Sequence, residues 1–213
     1  MEELRTNYSR NKRTIYLIGS SHANRLYKSI IRSSKYNKRF NVKNYCKPGA
    51  TFNNTPKPHP ALFCNRDIII VQSFGNSIFR KSETTSDPVL REFQLKSFSP
   101  TDEQELLKEW NSAKTYFDEA LKKGTKIYLI DNPIRYINNT DKRVIAHQKK
   151  LNSKLRDFFT QVCVINHRKL LPLSGRGSKN NHQYRTMIGD GVHFHLEVYK
   201  HMINVLFENY LKN

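Results

Sequence analysis

Short apolar runs alternate along this chain with longer stretches in which apolar residues recur every third or fourth position. The first run, Thr14-Ile15-Tyr16-Leu17-Ile18, is rich in β-branched residues and ends at Gly19-Ser20-Ser21, which marks a buried strand. Between residues 22 and 34, Ala23, Leu26, Tyr27, Ile30 and Ile31 fall on one face of a helix. The alternation in Phe40-Asn41-Val42-Lys43-Asn44-Tyr45 predicts a second strand, exposed on one side and stopped by Lys47-Pro48-Gly49. A loop carrying Pro56, Pro58 and Pro60 follows. Asp67-Ile68-Ile69-Ile70-Val71 is the most apolar run, as expected of a central strand in a parallel sheet covered on both faces, and it leads to Gly75-Asn76.

Residues 79–102 show no clear period and are long for a connection, so they are expected to be an ordered functional loop or a disordered insert. From residue 102 to about 123, Leu106, Leu107, Trp110, Ala113, Phe117, Ala120 and Leu121 share a helix face, with Gly124 as the stop. Lys126-Ile127-Tyr128-Leu129-Ile130 reads as a fourth strand and Val162-Cys163-Val164-Ile165 as a fifth, with helices at 141–159 and 196–211. This alternation predicts one α/β domain over residues 13–213, a three-layer α/β/α sandwich around a parallel sheet of about five strands. Residues 1–12 read as a flexible basic arm. Ligands of such sheets bind beyond the carboxyl ends of the strands, which directs attention to residues 19–22, 47–52 and 73–77 and to the later loops.

Ser21 lies where the first strand turns into the first helix, near the positive end of a helix dipole. That is a suitable place for a nucleophile, although Ser20 or Ser21 could equally cap the helix. A serine nucleophile needs a base, and Asp190-Gly191-Val192-His193 offers one just before the last helix. The spacing lets Asp190 accept the Nδ1 proton of His193, leaving Nε2 to take a proton from Ser21. The same four residues could also be a plain glycine turn entering a helix. Acyl transfer further requires donors aimed at a developing oxyanion; the Gly49 N–H and the Asn76 amide, both at strand ends, could supply them, and both residues are also ordinary turn formers. His22, His182, His195 and His201 lack partners at ligand spacing, so no metal site is expected; His22 and His195 are expected to line the cleft or bind backbone groups. Gly175-Arg176-Gly177 does not follow a strand in the pattern of a dinucleotide loop.

Taken in order, these pieces resemble the SGNH, or GDSL-type, hydrolase superfamily along the whole chain. Gly19-Ser20-Ser21 is similar to its Gly-Asp-Ser block, Gly49 to its lone glycine, Phe74-Gly75-Asn76-Ser77 to its Gly-x-Asn-Asp block, and Asp190 to His193 to its Asp-x-x-His block. The resemblance implies a flavodoxin-like fold and a serine esterase acting on an ester or acylated substrate without a cofactor. It further implies Ser21 as nucleophile, His193 as base, Asp190 as its partner, and an oxyanion hole of Ser21, Gly49 and Asn76. Ser20 and Ser77 depart from the pattern, each standing where the superfamily has an acid.

Charge adds a second theme. With 37 Lys+Arg against 18 Asp+Glu the formal net charge is +19, which attracts polyanions. Basic residues gather at Arg32, Lys35, Lys38 and Arg39 and at Lys149, Lys150 and Lys154, the first group near Tyr27, Tyr36 and Phe40. Phosphate neutralisation beside stacking aromatics is the chemistry of single-stranded nucleic-acid binding, so RNA is an expected partner, against the alternative of solvated helix faces. A basic SGNH-like chain is similar to the Oskar C-terminal domain, which binds RNA without a working triad, and to retrotransposon-borne esterase domains, which keep the triad. Ser21, Asp190 and His193 place the chain nearer the second kind. Three cysteines without CxxC spacing, no apolar run of about 18 residues and a charged N-terminus lead to an expected cytoplasmic or nuclear location.

Overall fold

The first strand, β1 (Arg13–Gly19), runs parallel to β2 (Phe40–Cys46) on one side and to β3 (Ile68–Gln72) on the other. This is seen in the computed structural model, which describes residues 12–77, 79–81, 93–95, 100–135, 142–174, 178–190 and 192–211. Beyond β3 lie β6 (Lys126–Ile130) and β7 (Cys163–Ile165), also parallel, so the five-stranded sheet has the order β2-β1-β3-β6-β7. The expected three-layer α/β/α architecture is therefore present. The order reverses between β1 and β3, which opens a crevice at their carboxyl ends.

Alternation along the two central strands explains the layers. Ile15 and Leu17 of β1, with Ile68 and Ile70 of β3, pack under α1 (Ser21–Arg32) and the last helix, Leu196–Asn209. Tyr16, Ile18, Ile69 and Val71 point the other way, into a cluster with Phe117 and Phe159 from the long helix Pro100–Leu121 and the end of the helix Lys142–Phe158. The five isoleucines, Leu17 and Val71 are fully buried. Each such aliphatic side chain contributes about 1.5–3 kcal/mol relative to exposure.

In chain order the helices are α1, α2 (Ser34–Asn37), α3 (Pro100–Leu121), α4 (Lys142–Phe158), α5 (Ser178–Thr186) and α6 (Leu196–Asn209). Several elements were not expected from the pattern, the short α2 among them. Within residues 79–102, β4 (Phe79–Lys81) and β5 (Phe93–Leu95) pair as a small antiparallel sheet, too short to show a period, and α3 starts at Pro100. Helix α5 is anchored by the fully buried Tyr184 in an otherwise polar sequence, SKNNHQYRT, which carries no apolar stripe to read. Residues 1–11, 82–92, 96–99 and 136–141 and Gly175-Arg176-Gly177 lie outside the described residues.

Two glycines shape the crevice for different reasons. A Cβ on Gly19 would lie 2.2 Å from the Gln72 carbonyl oxygen, because β1 and β3 close tightly there. Gly49 has φ +77° but open space around it. Gly49→Ala should therefore lose only about 1–2 kcal/mol of left-handed strain. Gly19→Ala must also push the strand ends apart. Thermal unfolding of the two variants is expected to rank Gly19→Ala well below Gly49→Ala; the reverse order would contradict this packing.

Candidate active site

Ser21 is the first residue of α1, held at the crevice by the turn before it. The Ser20 N–H donates to the Gln72 carbonyl (3.1 Å) and the Lys47 N–H to the Gly19 carbonyl (2.8 Å), so the β2 and β3 loops flank the turn on either side. Ser20 occupies the N-cap position of α1 but makes no side-chain capping bond. The Ser21 hydroxyl turns instead to His193, with Oγ 2.7 Å from Nε2.

His193 is in turn fixed by Asp190. Asp190 Oδ2 lies 2.7 Å from His193 Nδ1, while Oδ1 accepts the backbone N–H groups of Val192 (3.0 Å) and His193 (2.6 Å). These bonds close a turn through the Asp190 side chain, and that turn sets the imidazole against the carboxylate; His193 precedes the last helix and is not part of it. Burial opposes ionisation of Asp190, but the hydrogen bonds from His193 and Val192 outweigh it and bring its pKa down to about 2. For His193, burial lowers the pKa, Asp190 raises it, and the cations Arg25 and Arg135 lower it; the net shift is downward from 6.5. The ring is therefore neutral near pH 7, with Nδ1 protonated toward Asp190 and Nε2 able to accept.

Asn76 stands beyond β3, as its sequence position requires. Its Nδ2 donates to the carbonyl of Ala50 (2.9 Å), the residue after Gly49, so it ties the two loops that flank Ser21. Its Oδ1 accepts from Arg135 Nη2 (2.6 Å). His22 is buried beneath, its Nδ1 2.7 Å from the Tyr199 hydroxyl and its ring 5.0 Å from that of His193. Burial foremost, then the nearby His193 and Arg135, hold the His22 pKa well below 6.5. The ring of His195 packs against Gly189. Among the described residues there is no group of three or more His, Cys, Asp or Glu side chains placed to hold a metal ion.

The residues that sequence reasoning missed lie one strand further along. Asp131, fully buried after β6, accepts the His167 N–H (2.8 Å), meets His167 Nδ1 (2.5 Å) and pairs with Arg156 (2.5 Å). His167 Nε2 reaches the Tyr184 hydroxyl at 3.1 Å. A carboxylate directly after an apolar strand was a usable signal for Asp131. Arg135 offered none, since its partner Asn76 is 59 residues away.

The basic groups are spread over the surface. Arg32, Lys38 and Arg39 are exposed between α1 and β2, and Lys35 faces Glu208 (3.6 Å). On α4, Lys149 and Lys150 are exposed and Lys154 is bound to Glu103 (2.6 Å). Of their expected aromatic partners, Tyr27 is half-buried, while Tyr36 and Phe40 are 1 % and 4 % exposed and pack on Phe207. The Tyr36 and Phe40 rings serve the core, and base stacking on them is sterically closed.

A GDSL-like lipase from Bacteroides thetaiotaomicron matches with TM-score 0.55 and 12 % identity over 99 % of this chain and 97 % of its own. An acetyl xylan esterase matches with TM-score 0.54 and 12 % identity, over 93 % and 99 % respectively. The fold is that of the SGNH hydrolases. A Bacillus subtilis protein is similar to the same degree (TM-score 0.55, 12 % identity), with 93 % of this chain spanning 57 % of that one. No protein-family model matches the sequence, and no curated protein matches it. The SGNH likeness is thus one of backbone course. No described helix is long and apolar enough to cross a membrane.

Proposed function

We propose that this protein is a serine esterase or acyl hydrolase that cleaves an ester or acylated substrate through an acyl-enzyme on Ser21. The observation that carries the reading is the unbroken chain of two 2.7 Å contacts, Ser21 Oγ to His193 Nε2 and His193 Nδ1 to Asp190 Oδ2. Solved proteins of the same fold described as an esterase and a lipase support an ester as the bond attacked.

In this scheme Ser21 Oγ attacks the acyl carbon as its proton passes to His193 Nε2, and the resulting imidazolium is stabilised by the Asp190 carboxylate. Negative charge gathers on the former carbonyl oxygen, where the N–H groups of Ser21 and Gly49 and the Asn76 amide are the assigned donors. Collapse expels the alcohol with the proton returned by His193. A water molecule, activated by the same imidazole, then releases the acid and frees Ser21. The test is a rapid-quench experiment with a p-nitrophenyl ester. One equivalent of p-nitrophenol per protein in the first turnover, with the acyl group found on the peptide containing Ser21, is the expected result; release without a serine-bound acyl group would refute the scheme.

A second reading, RNA contact through the basic surface, is favoured by the net charge of +19 and the exposure of Lys149 and Lys150. With Tyr36 and Phe40 buried, contact would be chiefly to phosphate. Affinity for single-stranded RNA is then expected to fall with salt, with a log–log slope of about −0.7 per neutralised phosphate. Reversing the charge of Lys149, Lys150 and Lys154 together should weaken it across all sequences. Binding that ignores salt, or none near ~50 mM salt, a range in which phosphate contacts are strong, would remove RNA as a partner.

A further inference from the structure

After β6 the chain continues as Asp131-Asn132-Pro133-Ile134-Arg135 without regular structure, and all five residues are buried. Each N–H of the stretch is bonded to a different group. Asp131 N–H donates to the Ile165 carbonyl (3.0 Å), Asn132 N–H to Asn152 Oδ1 (3.1 Å), Ile134 N–H to the Tyr184 hydroxyl (2.8 Å) and Arg135 N–H to Gln148 Oε1 (2.9 Å). Proline at 133 has no N–H to satisfy. The Tyr184 hydroxyl is itself held by His167, which is held by Asp131, so the bonds close a ring around the segment. Three separate elements, β7, α4 and α5, thus fix a five-residue loop that would otherwise be free to move.

That loop ends on a guanidinium that is 95 % buried by side chain and main chain together, since Arg135 is 5 % exposed. Burial pulls its pKa down only to about 10, so the group stays cationic at neutral pH. Its Nη2 points at Asn76 Oδ1, at 2.6 Å. A carboxamide whose oxygen faces a guanidinium cannot flip, because a flip would set N–H against N–H. The Asn76 nitrogen is thereby fixed toward the loop after β2, with one hydrogen on Ala50 O (2.9 Å) and a second still to direct. A charged donor on the oxygen also draws electron density from the nitrogen, which makes that second hydrogen a stronger donor.

We propose that Arg135 is a positioning residue for the reaction at Ser21: it locks and polarises the Asn76 carboxamide so that one Nδ2–H is aimed at the acyl oxygen. The inference rests on the reading of Ser21 as nucleophile. A preset donor is worth most when it needs no reorganisation as charge develops, and the pinned loop supplies that rigidity. The same cation bears on His193, whose pKa it lowers. Arg135 therefore has two separable effects, one through geometry and one through charge.

The test is a double-mutant cycle on p-nitrophenyl acetate hydrolysis, with folding checked by circular dichroism. Asn76→Ala is expected to lower kcat by about 10²–10³-fold. Arg135→Lys, which keeps the charge but not the fork, is expected to lower kcat by roughly tenfold or more with KM little changed, and to leave the acid limb of the pH profile in place. Arg135→Met should lower kcat similarly and also move that limb to higher pH. In the Asn76→Ala background, Arg135→Met should cost almost nothing further in kcat. A wild-type kcat in Arg135→Lys and Arg135→Met, or losses that simply multiply with Asn76→Ala, would overturn the proposal, since a merely structural role gives the second pattern. If the wild type has no serine-dependent turnover, the esterase reading fails by itself. The side-chain 15N–1H resonances of Asn76 then decide the orientation claim. Two sharp, inequivalent signals that collapse or shift in Arg135→Lys support it, and signals indifferent to the substitution overturn it.

Discussion

Ser21→Ala and His193→Ala are each expected to lower kcat for short p-nitrophenyl esters by roughly 10³-fold or more, because nucleophile and base act as one unit. The double variant should be no worse than either single one. Ser21 and His193 border the crevice and are not packed in the core; the His193 side chain is 19 % exposed, so both variants should keep the wild-type unfolding transition. Asp190→Asn should cost as much or less, since the Oδ1 bonds to two backbone N–H groups can persist while the imidazole loses its charged partner. The wild-type profile should show an acid limb governed by His193. Its pKa lies below 6.5, so activity holds at neutral pH and is lost as pH falls through the depressed value and the base is protonated. An acid limb well above pH 6.5 would contradict the site's electrostatics.

The largest loss of stability outside the hydrophobic core is expected from Asp131→Ala. The carboxylate is fully buried and receives the His167 N–H, the His167 ring and the Arg156 guanidinium. Removing it strands two donors of His167, which is 2 % exposed, while Arg156 keeps access to water at 35 % exposure. Breaking a buried pair in this way costs about 3–5 kcal/mol, and the partly solvated arginine places the expected value near ~3 kcal/mol. Urea unfolding should show the midpoint falling with little change in slope. A shift below about 1 kcal/mol, the ordinary size for surface substitutions, would mean that the ring of bonds around residues 131–135 does not support the fold.

These two predictions divide along a line that the sequence itself draws. β1 and β3 are legible because four consecutive apolar residues rich in β-branching, in runs too short for a helix, read as strands buried on both faces. Asp190-Gly191-Val192-His193 is legible because its contact closes within three residues of chain. The Asp131–His167 contact spans 36 residues and Arg135–Asn76 spans 59, so neither leaves a local spacing to detect. Helix α5 escaped because one buried tyrosine, not a stripe, holds it down. The aromatic residues beside the basic clusters misled for a related reason: composition places Tyr36 and Phe40 near lysines but cannot say that both rings turn inward onto Phe207. Charge remained visible throughout, yet it describes the surface and not the crevice.

Labelling with a fluorophosphonate probe tests whether Ser21 is an activated nucleophile in the crevice. Such a probe reacts with a serine only when a neighbouring base and an oxyanion site activate it. Stoichiometric modification of the wild type on the peptide carrying Ser21, abolished in both Ser21→Ala and His193→Ala, is the predicted result. A folded wild-type protein that stays unlabelled, or labelling that survives in Ser21→Ala, would contradict it.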